Sequence, residues 1–250
     1  MNLPRRFVLS VFIALAATPF VFVAWNAMAP GDDPALVFAP SSLAPLEDTI
    51  DAALEAERIP AVEWVFAGSQ SLVAQIADGA PADVLITADR VTFDAAIAAG
   101  FDGAGGRITI ATNHLVLAVA PGNPGSVESL DDLADPDLLI GLCAVEVPCG
   151  RLAAEALDSV GGDVEPSVDT RETSVRALTT KIASGELDAG LIYRSDAIAA
   201  GLDVIDEAAL ADVITIYQRA WTGDRAHSAF ATFLNSFEFE QILLEAGFGT

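Results

Sequence analysis

The sequence alternates short apolar runs with segments of helical spacing, and this alternation constrains the fold more than any other feature. Seven runs have the length and composition of buried strands: ALVFA, VEWVFA, DVLITA, HLVLAVA, LLIGLC, AGLIY and VITIYQ. Helical spacing begins near Ala44, Ser71, Val91, Ser129, Leu152, Ser174 and Ala226. Strands that alternate with helices are typical of parallel sheets covered by helices. The pattern therefore predicts an α/β protein that binds its ligand where strands lead into helix N-termini.

Five of these strand-to-helix turns carry groups that can donate hydrogen bonds. They lie in VFAPSSLAPLEDTI, VFAGSQSLVAQI, VPCGRLAAEAL, TRETSVRALTTKI and GLIYRSDA. A serine at such a turn, such as Ser41 or Ser42, is commonly a helix cap. The free N–H groups of a helix N-terminus can also hold an anion, with a serine hydroxyl beside them. A single turn leaves both interpretations open, and the repetition at Gly68 and Ser69 favours an anion site.

The first 29 residues form a different kind of segment. The stretch MNLPRRFVLSVFIALAATPFVFVAWNAMAP places two arginines before a long apolar run, which ends in the small-x-small triplet Ala27-Met28-Ala29. This pattern predicts an export signal, by the twin-arginine or the general secretory route. Pro30 follows the candidate cleavage site, so both a cleaved signal and an uncleaved membrane anchor stay open. In either case the body of the protein is expected outside the cytoplasm, in the periplasm.

Charge and residue counts exclude several classes of partner and site. The chain has 36 Asp and Glu against 12 Lys and Arg, a net charge of −24, which would repel the phosphates of nucleic acids and anionic membranes. Two histidines and two cysteines are too few for ordinary zinc sites. A Ser-His-Asp triad would have to use His114 or His227, and neither lies in a recognisable motif. We expect no nucleic-acid partner, no protein-bound metal, no cofactor and no catalytic residue.

Cys143 and Cys149 are separated by five residues, and an oxidising compartment permits a disulfide between them. Such a bridge would close a small loop beside the third turn. The alternative is two free thiols, and we favour the bridge.

The quoted motifs, in their order along residues 35 to 250, resemble the periplasmic molybdate-binding proteins of ABC importers. The segment SLVAQIADGAPADVLITAD is the most specific match. The resemblance implies a two-lobe type II periplasmic binding protein fold, in which each lobe is a mainly parallel sheet flanked by helices and the ligand cleft lies between the lobes. It implies one lobe from 35 to 112 plus 218 to 250 and a second from 113 to 217. TNHLVLAVAP matches the first crossover.

The resemblance also implies a set of ligand-binding residues. The family holds its oxyanion with two serines, two backbone amides and a tyrosine. The residues at the matching positions are Ser42, Ser69, Cys149, Val175 and Tyr193. Ser42 would then be both a helix cap and a ligand donor. Cys149 replaces a typical alanine, and Pro40 replaces a small residue; a backbone donor tolerates a changed side chain.

The expected function is that of a monomeric carrier, not an enzyme, which captures molybdate and tungstate and delivers them to the permease of an ABC importer. Two alternatives keep the same fold: a binding protein for another oxyanion such as sulfate, and a membrane-anchored oxyanion sensor. A more remote alternative is a serine hydrolase that uses Ser69 or Ser71, although GSQSL lacks the G-x-S-x-G turn of such enzymes.

Overall fold

The computed structural model describes residues 34–159, 167–223 and 229–249. The predicted export signal, the predicted helix start at Ala226 and His227 lie outside these ranges. Residues 34 to 250 belong to one compact unit. Within the described ranges no helix is both long enough and apolar enough to cross a membrane.

The strands follow the apolar runs closely. They are β1 (Leu36–Pro40), β2 (Glu63–Ala67), β3 (Val84–Thr87), β4 (Ile108–Val119), β5 (Ile140–Cys143), β6 (Val168–Glu172), β7 (Ala189–Tyr193), β8 (Asp203–Ile205) and β9 (Ile214–Trp221). β6 and β8 were not predicted. In β6 the sequence VDTRE has no apolar run, and its residues are alternately half-buried and exposed.

The helices occupy most of the segments with helical spacing. They are α1 (Glu47–Ala56), α2 (Ser69–Ala77), α3 (Arg90–Ala98), α4 (Pro148–Ser159), α5 (Val175–Ala183), α6 (Arg194–Ala200), α7 (Ala229–Phe233) and α8 (Phe237–Glu245). The segment predicted to be a helix from Ser129 is only a 3-10 turn, Leu130–Ala134. Ser129 and Asp132 close it at its start through reciprocal side-chain bonds to backbone N–H groups.

The strands are ordered β2-β1-β3-β9-β4-β7-β5-β6, and β8 also pairs with β4. β1 runs parallel to β2 and β3, and β5 runs parallel to β6 and β7, whereas β4 and β9 run antiparallel to their neighbours. We call β1–β3 with α1–α3 the first half and β5–β7 with α4–α6 the second half. The predicted α/β fold is confirmed, with antiparallel strands joining two parallel groups.

The long strand β4 belongs to both groups. Its residues from Ile108 to His114 pair with β9, and those from Leu115 to Val119 pair with β7 and β8. β4 therefore passes from one half to the other; that TNHLVLAVAP is a crossover between two lobes stays a prediction. The lobe boundaries near residues 112 and 217 stay predictions.

Apolar side chains cover both faces of the sheet formed by β1, β2 and β3. Val37 and Ala39 of β1 pack into a core that includes helices α7 and α8, while Phe38 packs into a second core with Leu72 of α2. Successive strand residues point to opposite faces, so a strand covered on both sides must be apolar at every position. This is why ALVFA shows no alternation with polar residues.

Candidate functional site

The five predicted turns converge on one small pocket at the C-terminal ends of β1 and β7, in which the centre of a water-sized sphere can occupy about 10 Å³. Its lining residues are Pro40, Ser41, Ser42, Gly68, Ser69, Ala88, Val147, Pro148, Cys149, Val175 and Tyr193. The structure therefore brings together all five residues predicted to bind the ligand. Among the described lining residues none carries a charged side chain.

Ser69 is the first residue of α2, and its side chain is 2% exposed. Its Oγ accepts a hydrogen bond from the Ala88 amide at 3.1 Å. Since an amide can only donate, the hydroxyl hydrogen of Ser69 remains available for another acceptor. Ser69 is therefore held as a donor at the pocket.

Ser42 lies in a 3-10 turn, Ser41–Leu46, that precedes α1. The predicted capping role of Ser42 is wrong, because Pro40 occupies the N-cap position and makes no side-chain capping bond. The Ser42 hydroxyl lies instead 2.7 Å from the hydroxyl of Tyr217 on β9. Sequence reasoning missed Tyr217, although a tyrosine in a buried strand needs a partner for its hydroxyl.

Cys149 and Val175 lie at the start of two helices in the second half. Cys149 is the second residue of α4, and Val175 is the first residue of α5. Amides in the first turn of a helix have no acceptor within that helix, and the helix dipole makes this end partly positive. Ser174 caps α5 by accepting from the Ala177 amide at 3.2 Å. Both helix starts can therefore present backbone donors to an anion.

A disulfide joins Cys143, the last residue of β5, to Cys149, as we favoured from the sequence; the Cα atoms are 5.9 Å apart. The loop between them is tight, because a Cβ atom at Gly150 would lie 1.9 Å from the carbonyl oxygen of Ala144. Only glycine fits at this position. The bridge ties the start of α4 to the end of β5 and so fixes the position of the Cys149 amide.

Tyr193 closes β7, and its side chain is 1% exposed. Its hydroxyl oxygen is buried and has no hydrogen-bond partner in the described part of the chain. Burial, together with nearby Tyr217 and Asp89, raises the pKa of the Tyr193 phenol well above its ordinary value. The group therefore stays protonated and is an unused donor that faces the pocket.

Two polar contacts join the halves beside the pocket. The Gln70 side chain donates to the carbonyl of Thr173 at 2.8 Å. Arg151 on α4 binds one carboxylate oxygen of Asp89 through Nε at 3.0 Å and Nη2 at 2.5 Å. A Cβ atom at Gly68 would lie 2.5 Å from the Thr173 carbonyl oxygen, so glycine allows the halves to approach.

A buried polar group lies behind the pocket. The side-chain amide of Asn113 donates to the Ser195 hydroxyl at 2.8 Å. The next residue, Asp196, is 3% exposed, and one of its carboxylate oxygens has no hydrogen-bond partner among the described residues. Burial raises the pKa of Asp196 to about 7, against the opposing effects of Arg176 and the Ser195 hydrogen bond.

The chain is similar in sequence to bacterial solute-binding proteins. Residues 35–249 match the family described as bacterial extracellular solute-binding protein. The chain is 38% identical over 143 residues to the molybdate-binding protein ModA of Mycobacterium tuberculosis, a region that covers 57% of this chain and 54% of that protein. It thus spans about half the length of this relative. It is 31% identical over 192 residues to ModA of Escherichia coli, covering 73% of this chain and 74% of that protein.

Solved structures show the same fold. The Azotobacter vinelandii periplasmic molybdate-binding protein superposes with a TM-score of 0.67 at 21% identity, covering 86% of this chain and 99% of its own. The sulfate-binding protein SubI of Mycobacterium tuberculosis superposes with a TM-score of 0.72 at 19% identity, covering 86% of each chain. At these identities the likeness concerns the fold, which is that of the type II periplasmic binding proteins.

Proposed function

The chain belongs to the bacterial extracellular solute-binding protein family, and from this premise we propose that it captures molybdate in the periplasm. It then delivers the anion to the permease of an ABC importer. Tungstate is proposed as a second ligand, because it is a tetrahedral dianion of nearly the same size. The ModA relatives from two organisms support molybdate as the cargo.

The buried Tyr193 hydroxyl is the observation that supports this proposal most strongly. A buried polar group without a partner costs about 1–3 kcal/mol, so such groups are uncommon. This one faces a pocket lined by the Ser42 and Ser69 hydroxyls and by the starts of two helices, all of which can donate. An oxyanion in the pocket would accept from Tyr193 and remove the cost.

The five donors come from both halves of the fold. Ser42 and Ser69 belong to the first half, whereas the amides of Cys149 and Val175 and the Tyr193 hydroxyl belong to the second. An anion bound to all five would draw the halves together about the crossover strands, as in hinge-type binding proteins. We propose this closure as the step that separates the loaded carrier from the empty one.

Neutral donors suit a carrier. A dianion that leaves water loses its hydration shell, and fixed hydroxyl, phenol and amide dipoles can replace it without a counter-charge. Since no ion pair forms with the ligand, release to a permease stays easy. The net charge of −24 slows the approach of a dianion, but salt screens exposed charges beyond about 8–10 Å.

Selectivity follows from the same donors. Phosphate near neutral pH carries a proton, which needs an acceptor that a ring of donors does not offer. Sulfate carries no proton, but its S–O bonds are shorter than Mo–O or W–O bonds. A pocket closed to the larger radius would leave some donors too far away to bond to sulfate.

The hydrolase alternative is less well supported. Ser69 lies against the Ala88 amide, and the Ser71 hydroxyl is 3.3 Å from the Gln70 side-chain nitrogen. A donor beside a serine oxygen does not take its proton, so neither contact activates a nucleophile.

A thermal-shift series with equal concentrations of molybdate, tungstate, sulfate and phosphate tests the proposal. A ligand that binds only the folded state stabilises it by RT ln(1 + [L]/Kd). We expect large and similar shifts for molybdate and tungstate, and small shifts for sulfate and phosphate. A larger shift with sulfate or phosphate than with molybdate would show that the proposed cargo is wrong, and the assignment of the fold would still stand.

A further inference from the structure

Tyr217 contacts two of the five proposed donors without lining the pocket. It lies on β9, is completely buried, and places its hydroxyl 2.7 Å from the Ser42 Oγ. Its ring packs edge-on against Tyr193, with ring centroids 6.2 Å apart, and against Phe248, at 5.2 Å. Its position is therefore fixed by packing, and its polar atom meets Ser42.

The direction of the hydrogen bond between these two hydroxyls decides what Ser42 can do. Each hydroxyl has one hydrogen, and only one of the two can donate to the other. If Ser42 donates, it has no hydrogen left for a ligand, and the Tyr217 hydrogen must find another acceptor in a buried place. If Tyr217 donates, the Ser42 hydrogen is free to point into the pocket.

The surroundings of Tyr217 favour the second arrangement. Among the described residues, the Tyr217 hydroxyl has one hydrogen-bond partner, the Ser42 Oγ. If Ser42 donated to Tyr217, the Tyr217 hydrogen would be buried without an acceptor, which is costly. Tyr217 therefore donates to Ser42. Burial raises the pKa of Tyr217 far above neutral, so this hydrogen is present.

Ser69 is held in a matching way. Its oxygen accepts from the Ala88 amide, just as the Ser42 oxygen accepts from Tyr217. To accept a hydrogen bond from a protonated ligand, either serine would have to rotate its O–H away from the pocket. Its oxygen would then accept from the ligand while it still accepts from Ala88 or Tyr217. Both serines are therefore set as donors before a ligand arrives.

We propose that Tyr217 determines specificity: by donating to Ser42 it fixes this serine as a donor, and so excludes oxyanions that still carry a proton. The inference rests on the proposed oxyanion-binding function and adds the reason for its selectivity. Without the Tyr217 hydroxyl, both lone pairs of Ser42 are free. Its hydroxyl can then turn to accept the proton of hydrogen phosphate.

The test compares the dissociation constants of molybdate and inorganic phosphate by calorimetry, at a mildly alkaline pH where phosphate carries one proton. The central variant is Tyr217→Phe, which keeps the ring and its packing. We expect molybdate binding to weaken about 10-fold. Phosphate binding should weaken less or become tighter. The ratio of the phosphate dissociation constant to the molybdate dissociation constant should therefore fall.

Three further variants separate this role from a purely structural one. In a Ser42→Ala background, Tyr217→Phe should change neither constant, because Tyr217 acts through Ser42. Phe248→Leu removes a ring contact of Tyr217 and should leave the ratio unchanged. Asn113→Ala removes a side chain that donates to Ser195 and not to Ser42, so it should also leave the ratio unchanged.

The outcomes distinguish the inference from the proposed function. Wild-type protein that rejects phosphate, together with a Tyr217→Phe variant that keeps the wild-type ratio, overturns the inference alone. An equal effect of Tyr217→Phe with and without Ser42 also overturns it. Wild-type protein that prefers phosphate, or binds neither anion, overturns the proposed function and the inference together.

Discussion

Replacing Tyr193 by phenylalanine should have opposite effects on the stability of the protein and on its affinity. The change removes only the hydroxyl, while the buried ring keeps its contact with Tyr217. In the described arrangement of the two halves that hydroxyl is buried and has no hydrogen-bond partner among the described residues. Relief of part of its cost of about 1–3 kcal/mol should stabilise the fold by about 1 kcal/mol. The melting temperature should therefore rise by about 2–4 °C.

Binding should change in the other direction. A hydrogen bond to a charged group contributes about 1.5–3 kcal/mol, so loss of the Tyr193 donor should raise the dissociation constant for molybdate about 10- to 150-fold. Thermal melts without ligand and calorimetry with molybdate measure the two effects on the same sample. A control, Tyr217→Phe, removes a hydroxyl that has a partner and should lower the melting temperature.

The reasoning fails if Tyr193→Phe lowers the melting temperature and leaves the affinity unchanged. That result would mean that the Tyr193 hydroxyl has a structural partner and does not bind the ligand. An increase in stability without a loss of affinity would likewise remove Tyr193 from the set of donors.

Three further predictions concern the surroundings of the site. Cys143→Ser and Cys149→Ser should each remove about 2 kcal/mol of stability in thermal melts, and should weaken molybdate binding equally; unequal weakening would mean that the Cys149 side chain itself contacts the ligand. Arg151→Ala leaves the Asp89 carboxylate beside the pocket without its ion-pair partner, so molybdate should bind less tightly. The decrease in radius of gyration on adding molybdate, measured by small-angle scattering, should also be smaller than in the wild type. A wild-type protein whose radius of gyration does not change at saturating molybdate would contradict closure. Folding raises the pKa of Asp196 from 3.8 to about 7. Its stabilising contribution is therefore complete below about pH 4 and is lost as the pH rises through about 7. Asp196→Asn should remove this part of the pH dependence of the unfolding free energy in denaturant titrations, and identical pH profiles for the wild type and the variant would contradict the prediction.

The residues that line the pocket could be predicted because their signals are local. Ser42 and Ser69 follow apolar runs and Tyr193 ends one, each at a turn into a helix, and parallel strands bring such turns to one edge of a sheet. The resemblance then selected these three side chains among the polar groups of the turns. The two amide positions needed the resemblance as well, because a backbone donor leaves no mark on residue type. The alternation of apolar runs and helical segments alone would have given the α/β class and not the set of residues.

The residues that support the pocket could not be predicted in this way. The Ser42–Tyr217 contact joins residues 175 positions apart, and the Arg151–Asp89 pair joins positions 62 apart. Nothing in the sequence pattern indicates which distant residues meet. The capping role of Ser42 was predicted wrongly for the same reason: the local pattern permits a cap, but a distant tyrosine takes its hydroxyl.

The edge strand β6 shows a second limit of pattern reading. Its sequence VDTRE is polar and only half-buried, because it pairs with β5 on one side at the end of the sheet order. A strand in the middle of the sheet has to be apolar, whereas an edge strand does not. Apolar runs therefore predict the central strands and the apolar edge strand β2, but they miss a polar edge strand such as β6.

A crystal structure of the protein grown with molybdate tests the central claim most directly. The anomalous signal of molybdenum would locate the anion without reference to any assumed site. The account predicts one anion in the pocket, within hydrogen-bonding distance of the Ser42, Ser69 and Tyr193 hydroxyls and the amides of Cys149 and Val175. A molybdenum atom bound elsewhere on the protein, with this pocket empty, would contradict it.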